Sequence, residues 1–159
     1  MLHTLNGFLA AGIGFSLVDL LNENSKSISL SPFFVAIVAF CFSMTIGVLW
    51  EFFEYSADRY FKYDMQKDYI INTISTVTLD PEENNNAIRI NGIDHTILYD
   101  ENGDELATIE GGYLDIGIID TMKDLFVNFI GAVAFSIIGF LYVKNREKYK
   151  FATNFIPVR

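Results

Sequence analysis

The stretch FFVAIVAFCFSMTIGVLW, residues 33–50, contains no aspartate, glutamate, lysine or arginine in its 18 residues. As an α-helix it would be about 27 Å long, because a helix rises about 1.5 Å per residue. This length is close to the hydrocarbon core of a bilayer, which is about 30 Å thick. Ser31 and Pro32 precede it, and they suit a helix start, because serine can accept a hydrogen bond from a free N–H group and proline needs none. The stretch therefore predicts a transmembrane helix, which we expect to continue past the membrane to about Tyr63.

Two further segments have the length and composition of membrane spans. Residues 125–143 are uncharged over 19 positions, and residues 5–21 are apolar apart from Asn6 and Asp19. For residues 5–21 a buried helix of a soluble protein is the alternative, whereas a cleaved signal peptide fits poorly because no lysine or arginine precedes the apolar run. We predict spans at about residues 5–21, 32–54 and 121–143, and the third helix is expected to begin near Asp120 or Thr121, where an aspartate can cap free N–H groups. The predicted fold class is mainly α, a polytopic helical integral membrane protein with a small extracytoplasmic antiparallel β insert.

Charge is segregated along the chain. Hydrophobic residues make up 51 % and charged residues 19 % of the sequence, so the charges must be concentrated outside the spans. Residues 55–119 contain thirteen acidic and four basic residues. The net charge of −9 argues against nucleic-acid binding, because such binding requires a basic surface.

The middle of the chain changes to strand-like patterns. TISTVTL (residues 73–79) and HTILY (95–99) are rich in β-branched and aromatic residues, and the turn sequences NG (91–92) and DENGDE (100–105) lie beside them. We predict three or four short strands in a β insert at residues 71–110, with residues 1–70 and 111–159 forming the transmembrane domain. DENGDE is interpreted as a hairpin turn, because a calcium loop would need glycine where Glu105 stands.

The positions of lysine and arginine predict the orientation in the cell membrane. The tail after Val143 carries five basic residues and one acidic residue, and basic residues near helix ends are retained in the cytoplasm. The carboxyl terminus is therefore predicted to be cytoplasmic, as is the loop with Lys26, and residues 55–119 to be extracytoplasmic. The amino terminus would then be outside too, and a chain that opens almost directly inside a helix is expected to be a shortened form of a longer protein.

Acidic residues lie at the predicted outer ends of two helices. At about 100° per residue, Glu51, Glu54 and Asp58 lie within about 60° of one another on a helix. Asp120, Asp124 and Asn128 repeat at every fourth position of the next helix. If the topology is right, both acidic stripes are at one depth, and packing turns them toward each other because charges facing lipid are costly.

Facing carboxylates repel each other, and two arrangements would relieve the repulsion. Either some of the acids hold protons, which suits proton coupling, or a cation binds among them. A hard ion such as Mg²⁺ or Ca²⁺ is favoured over zinc or iron, because no histidine or cysteine is near in the sequence. In the alternative reading each acid is structural, as a helix cap or a surface ion pair. The predicted metal-binding residues are Glu51, Glu54, Asp58, Asp120, Asp124 and Asn128.

Three sequence segments resemble a known group of proteins. GVLWEFFEYSADRYF (residues 47–61), DMQKD (64–68) and YLDIGIIDTMKDLFVNFIGAVAFSIIGFLYVK (113–144) are similar to uncharacterised bacterial polytopic membrane proteins, common in Firmicutes and related to the YjdF-like family. The resemblance implies that the six predicted metal-binding residues are the group's distinctive polar positions. It implies no activity, and it implies additional helices upstream.

Three classes of function fit these patterns. The favoured hypothesis is a binding or transport component of the membrane with a site for a divalent cation or protons. The second is a structural or assembly subunit that forms homo-oligomers or binds partner membrane helices through small-residue faces. A metal-dependent membrane enzyme is less favoured, because the chain lacks a G-x-S-x-G nucleophile motif, and no catalytic residue is predicted.

Overall fold

The computed structural model describes residues 2–25 and 29–156, except for the side chain of Glu23. Lys26, predicted to lie in a cytoplasmic loop, is outside the described residues. The chain forms two compact units. One comprises Met1–Met65 with Thr121–Arg159, and the other comprises Gln66–Asp120.

Three long helices dominate the part of the chain that the structure describes: α1 (Leu2–Asn24), α2 (Pro32–Phe61) and α3 (Ile118–Lys144). All three are long and apolar enough to cross a membrane. The prediction of a polytopic helical membrane protein is therefore confirmed. Each helix is longer than the predicted span, because polar or charged turns continue the helices beyond the apolar runs.

The two ends of α2 follow from local sequence. The Ser31 hydroxyl accepts a hydrogen bond from the N–H of Phe34 at 3.2 Å, so the predicted start is confirmed. The helix ends before Lys62, which has a left-handed backbone with φ of 58° and whose N–H bonds to the carbonyl of Ala57. The end at Phe61 is close to the Tyr63 expected from the sequence.

The start of α3 differs from the prediction. The sequence predicts a start near Asp120 or Thr121 with an aspartate as the cap, but the helix begins at Ile118. Asp115 caps it, because its carboxylate accepts the N–H of Ile119 at 2.8 Å and also that of Tyr69 at 2.6 Å. Burial raises the pKa of Asp115, but the hydrogen bonds from the N–H groups outweigh this effect and hold the pKa below its ordinary value.

Small residues bring the helices into direct backbone contact. A Cβ atom built on Gly131 of α3 would overlap the carbonyl oxygen of Thr4 in α1. A Cβ atom on Gly7 would lie 2.5 Å from the carbonyl oxygen of Asn128. Such contacts are typical of membrane helices, whose association depends on close van der Waals packing.

Aromatic side chains fill the interior of the helical unit. The fully buried core comprises Ala11, Phe15, Val35, Ala39 and Phe135. The ring of Phe135 meets those of Phe8 and Phe15 edge to face, with centroids 5.0 Å and 5.8 Å apart. Edge-to-face contacts of this kind add to the packing energy of the core.

The outward faces of the helices are apolar. On α1 the large exposed residues recur every three or four positions, which defines one face of the helix: Leu2, Leu5, Leu9, Ile13, Leu17 and Leu20. A continuous exposed apolar surface is unusual for a soluble protein. In this membrane protein it is the surface in contact with lipid.

The second unit is built from six short strands in three antiparallel pairs. The pairs are β1 (Ile70–Ile71) with β6 (Tyr113–Leu114), β2 (Thr73–Thr76) with β3 (Ile88–Asn91), and β4 (His95–Tyr99) with β5 (Glu105–Glu110). We expected three or four strands within residues 71–110. The unit contains more strands than expected, because β1, the first strand of the unit, pairs with β6, the last strand.

Aspartate side chains order the turns of this unit. Asp100 accepts the N–H groups of Asn102 at 2.9 Å and Asp104 at 2.8 Å, and the turn connects β4 to β5. The interpretation of DENGDE as a hairpin turn is therefore confirmed. In the β2–β3 connection, a hydrogen bond from the N–H of Asn86 lowers the pKa of the Asp80 carboxyl. This effect outweighs burial, which raises the pKa, so the pKa lies below its ordinary value.

An ion pair connects α1 to the segment after α3. Asp19 is buried, and its Oδ1 lies 2.6 Å from Nη2 of Arg146. The guanidinium group of Arg146 also lies over the ring of Tyr142, at 4.9 Å from the ring centroid. In the sequence Asp19 lies near the end of the first predicted span. In the structure its carboxylate is covered by protein and paired with Arg146.

We expect the Asp19–Arg146 pair to stabilise the helical unit. Arg146→Leu should lower the free energy of unfolding by about 1–3 kcal/mol, below the 3–5 kcal/mol of a fully buried pair, because the arginine side chain is 38 % exposed. A double-mutant cycle with Asp19→Asn, unfolded by SDS titration of detergent-solubilised protein, measures the coupling. Strictly additive effects of the two changes would show that the pair contributes nothing.

Candidate functional site

Three polar side chains, one from each helix, meet at one end of the helical unit. They are His3 in the first turn of α1, Glu51 in the second half of α2, and Asp124 near the start of α3. Each offers one potential ligand atom, and these atoms all lie within 4.8 Å of one another. We call these residues the His3–Glu51–Asp124 cluster.

His3 and Asp124 are in direct contact. Nε2 of the histidine lies 3.0 Å from Oδ2 of the aspartate, and the side chains are 26 % and 24 % exposed. A protonated imidazole would make this contact a charge-assisted hydrogen bond. The partial exposure of both groups gives a small ion or a proton access to the cluster.

Glu51 is the buried member of the cluster. Its residue surface is only 6 % exposed, and among the described residues its Oε2 has no hydrogen-bond partner. The side chain of Thr121 forms a hydrogen bond to the carboxyl group, so one side of the group is held in place. A buried carboxylate oxygen without a partner is costly. This group therefore needs a proton or a bound cation.

A second carboxylate lies one turn further along α2. Glu54 is buried, and its Oε1 accepts a hydrogen bond of 2.7 Å from Nε1 of Trp50. Its charge acts on Glu51. Repulsion between the two carboxylates adds to the need for positive charge at this end of the helices.

The carboxylates of Asp58 and Asp120 accept hydrogen bonds from backbone N–H groups. The carboxylate of Asp58 accepts the N–H of Met65 at 2.6 Å, beyond the end of α2. Asp120 belongs to the second unit, where it accepts the N–H of Lys67 at 2.9 Å. Neither residue is part of the His3–Glu51–Asp124 cluster.

Asn128 lies one turn beyond Asp124, where the three helices touch. It is buried, and its Nδ2 donates to the carbonyl oxygen of Ser43 at 3.4 Å. The Ser43 hydroxyl in turn donates to the carbonyl oxygen of Gly7 at 2.7 Å. Gly47 leaves room for the amide, because a Cβ atom there would lie 2.6 Å from Nδ2. Asn128 therefore connects α3 to α2 rather than to the cluster.

The expectation that no histidine lies near the acidic residues is wrong. His3 is far from Glu51 and Asp124 in sequence, but α1 and α2 are antiparallel neighbours, so the start of α1 lies beside the later half of α2. The predicted order of three spans already implied that His3 lies near the acidic residues. The first and third spans begin, and the second span ends, on the same side of a membrane.

The first half of the chain matches a known family. Residues 1–80 match the model of a family described as predicted membrane protein (DUF2238), which covers half of the chain. The chain belongs to this family. The matched residues contain α1 and α2, and with them His3 and Glu51, whereas Asp124 lies beyond them. No curated protein and no solved structure matches the chain.

Membership in DUF2238 agrees with the three apolar helices of the structure. The expected resemblance to an uncharacterised family of membrane proteins is confirmed at this level. The family description names no ligand or reaction.

Proposed function

We propose that this DUF2238 protein binds a divalent cation in the His3–Glu51–Asp124 cluster, as a binding or transport component of the cell membrane. The observation that carries the proposal is the buried Oε2 atom of Glu51, which has no hydrogen-bond partner among the described residues. Glu51 also belongs to a group of three side chains, each of which offers one ligand atom within 4.8 Å of the others.

Electrostatics near the membrane supports a cation. Glu51 and Asp124 bring two carboxylates together, and Glu54 adds a third negative charge close by. One imidazole can balance only one of these charges. Ionised groups in a membrane are rare, and they usually pair or mark a path for ions. A histidine that binds a metal ion is neutral, so a divalent cation in the cluster would offset two of the three negative charges.

The packed interior of the helical unit favours a binding site over a continuous transport path through a single chain. The cluster lies in the first turn of α1, and Asp19 lies about 24 Å further along that helix. Between them the interior is closed by the aromatic rings of Phe8, Phe15 and Phe135. A transport path would therefore need a second copy or partner helices, and we propose such an oligomer as the transporting form.

The proposed orientation places the cluster on the extracytoplasmic side. Arg146 and the other basic residues follow α3 at the opposite end, which the distribution of basic residues favours as cytoplasmic. Within the DUF2238 family we propose that the nearer relatives are the bacterial YjdF-like proteins, because the acidic patterns of α2 and α3 resemble theirs. The same patterns contain Glu51 and Asp124.

Cation binding should stabilise the folded protein. At a concentration of 100 times Kd, a ligand that binds only the folded state adds about 2.7 kcal/mol. For a chain of this size that corresponds to a rise in Tm of about 5–10 °C. We expect this rise in detergent-purified wild type with at least one of Mg²⁺, Ca²⁺, Mn²⁺ and Zn²⁺ after treatment with EDTA. Glu51→Gln should lose it, because the amide is a neutral and weaker ligand.

Asp58→Asn is the matched control for Glu51→Gln. It lies on the same helix and changes one carboxylate, but Asp58 is bonded to the N–H of Met65 and should leave the cation-dependent rise intact. Absence of a rise in wild type with every cation would contradict the proposal. If Glu51→Gln is then more stable than wild type, a proton on Glu51 is the better description, because the amide resembles the protonated acid.

A further inference from the structure

We infer that the His3–Glu51–Asp124 cluster binds a borderline transition-metal ion, Zn²⁺ being the representative, with Nε2 of His3 as a direct ligand, in preference to Mg²⁺ or Ca²⁺. This inference rests on the proposed function and specifies its cation. It also reverses the preference for a hard ion that the sequence suggested, because that preference assumed oxygen ligands only.

The donor atoms favour zinc. Ca²⁺ takes six to eight oxygen ligands, and Mg²⁺ keeps several waters in an octahedron of oxygens. Imidazole nitrogen suits Zn²⁺, Fe²⁺, Ni²⁺ and Cu²⁺ instead. One histidine with two carboxylates gives three protein ligands, the number that zinc sites with an exchangeable fourth position use. The cluster therefore matches a four-coordinate metal better than a six-coordinate one.

The distances within the cluster are compatible with this geometry. Ligands about 2.0–2.1 Å from a tetrahedral zinc ion lie about 3.3–3.4 Å from one another. His3 Nε2 and Asp124 Oδ2 are 3.0 Å apart, so they need to separate by only a few tenths of an ångström. The largest separation among the three ligand atoms is within 4.8 Å. Glu51 would approach the other two by about 1.5 Å at most, a movement that its side chain can make.

The surroundings of the cluster resemble those of a metal site. Thr121 holds the Glu51 carboxyl group by a hydrogen bond, and partners of this kind orient metal ligands. His3 and Asp124 are each about one quarter exposed, which leaves an entry route. The three ligands come from three helices, so binding would join α1, α2 and α3 at this end.

The experiment measures metal binding to the full chain in detergent after removal of metals. We expect one Zn²⁺ per chain by titration calorimetry, and a Co²⁺ complex with the visible absorption of a four-coordinate site. His3→Gln should weaken Zn²⁺ binding by about 100-fold or more, because loss of a supporting residue alone costs 10- to 100-fold. His3→Cys should restore Zn²⁺ binding but not Mg²⁺ binding, because a thiolate is a zinc ligand.

His95→Gln is the matched control. His95 is also hydrogen-bonded to an aspartate, at 3.1 Å from Asp94, but it lies in the second unit, and this change should leave Zn²⁺ affinity unaltered. Binding of Mg²⁺ or Ca²⁺ that is equal in wild type and His3→Gln, with no tighter Zn²⁺ binding, would overturn the inference and leave the proposed function standing. No binding of any cation would overturn both. Circular dichroism and gel filtration establish that the variants are folded.

Discussion

Phe135→Ala should lower the free energy of unfolding by about 2–3 kcal/mol, below the range of about 3–5 kcal/mol for a buried aromatic ring in a soluble protein, because lipid or detergent covers the ring in the unfolded state and only the packing and cavity contributions are lost. The ring is fully buried and lies edge to face with Phe8 and Phe15. It also faces Gly12, where a Cβ atom would lie 3.1 Å from the ring. Alanine would leave a cavity where α1 and α3 meet, and the helix backbones are already too close elsewhere to collapse into it.

The loss is measured by SDS titration of the purified protein, with helicity followed by circular dichroism. Phe126→Ala is the matched control, because Phe126 lies on the same helix with 61 % of its surface exposed. In the membrane that surface contacts lipid in folded and unfolded states alike, so its removal should change stability by less than about 1 kcal/mol. Equal losses for the two variants would contradict the assignment of Phe135 to the core.

Gly131→Ala should destabilise the protein by about 3 kcal/mol, the upper end of the range for overpacking. The added methyl group would overlap the carbonyl oxygen of Thr4 and lie 2.9 Å from the backbone nitrogen of Phe8. Both atoms belong to the backbone of α1, so only a movement of whole helices can relieve the overlap. That movement would also separate His3 from Asp124, and cation-dependent stabilisation should fall in the same variant.

Gly12→Ala is the corresponding control. It is the same substitution in a membrane helix, but the three atoms nearest to its methyl group all belong to the Phe135 ring, the closest at 3.1 Å, and a ring can tilt. Replacing glycine by alanine in a helix gains about 1 kcal/mol of intrinsic propensity, so we expect a change near zero. Thermal unfolding in detergent compares the two variants. Equal stability of the two would refute the close approach of α1 and α3.

The local parts of the fold were predictable because they depend on neighbouring residues. An uncharged run of 18 residues predicts a membrane span whatever its neighbours in the fold are. The start of α2 at Ser31 and Pro32 depends only on a hydrogen bond to the first turn of the helix. The DENGDE turn forms through hydrogen bonds of Asp100 within five residues. The cap of α3 was predicted at the wrong aspartate, because three aspartates near its start are equally suitable by sequence: Asp115, Asp120 and Asp124.

The candidate site was only partly predictable. Helical periodicity placed Glu51 and Asp124 on stripes that could face each other, and the structure brings their carboxylates together. Periodicity could not separate them from Asp58 and Asp120, whose partners Met65 and Lys67 are backbone groups in irregular segments. It also could not find His3, because α1 lacks an acidic stripe that would mark its functional face.

By itself, the sequence determined that this chain is a helical membrane protein with three spans and a β-rich insert. Apolar length, charge segregation and turn residues act locally, and a bilayer admits few structures for such segments. Only the tertiary structure decided which polar groups meet. That outcome depends on how closely the helices approach and on their rotation, which Gly7 and Gly131 allow through backbone contact. Because of this packing His3 lies beside Asp124, and Glu51 is buried with one oxygen that has no hydrogen-bond partner among the described residues.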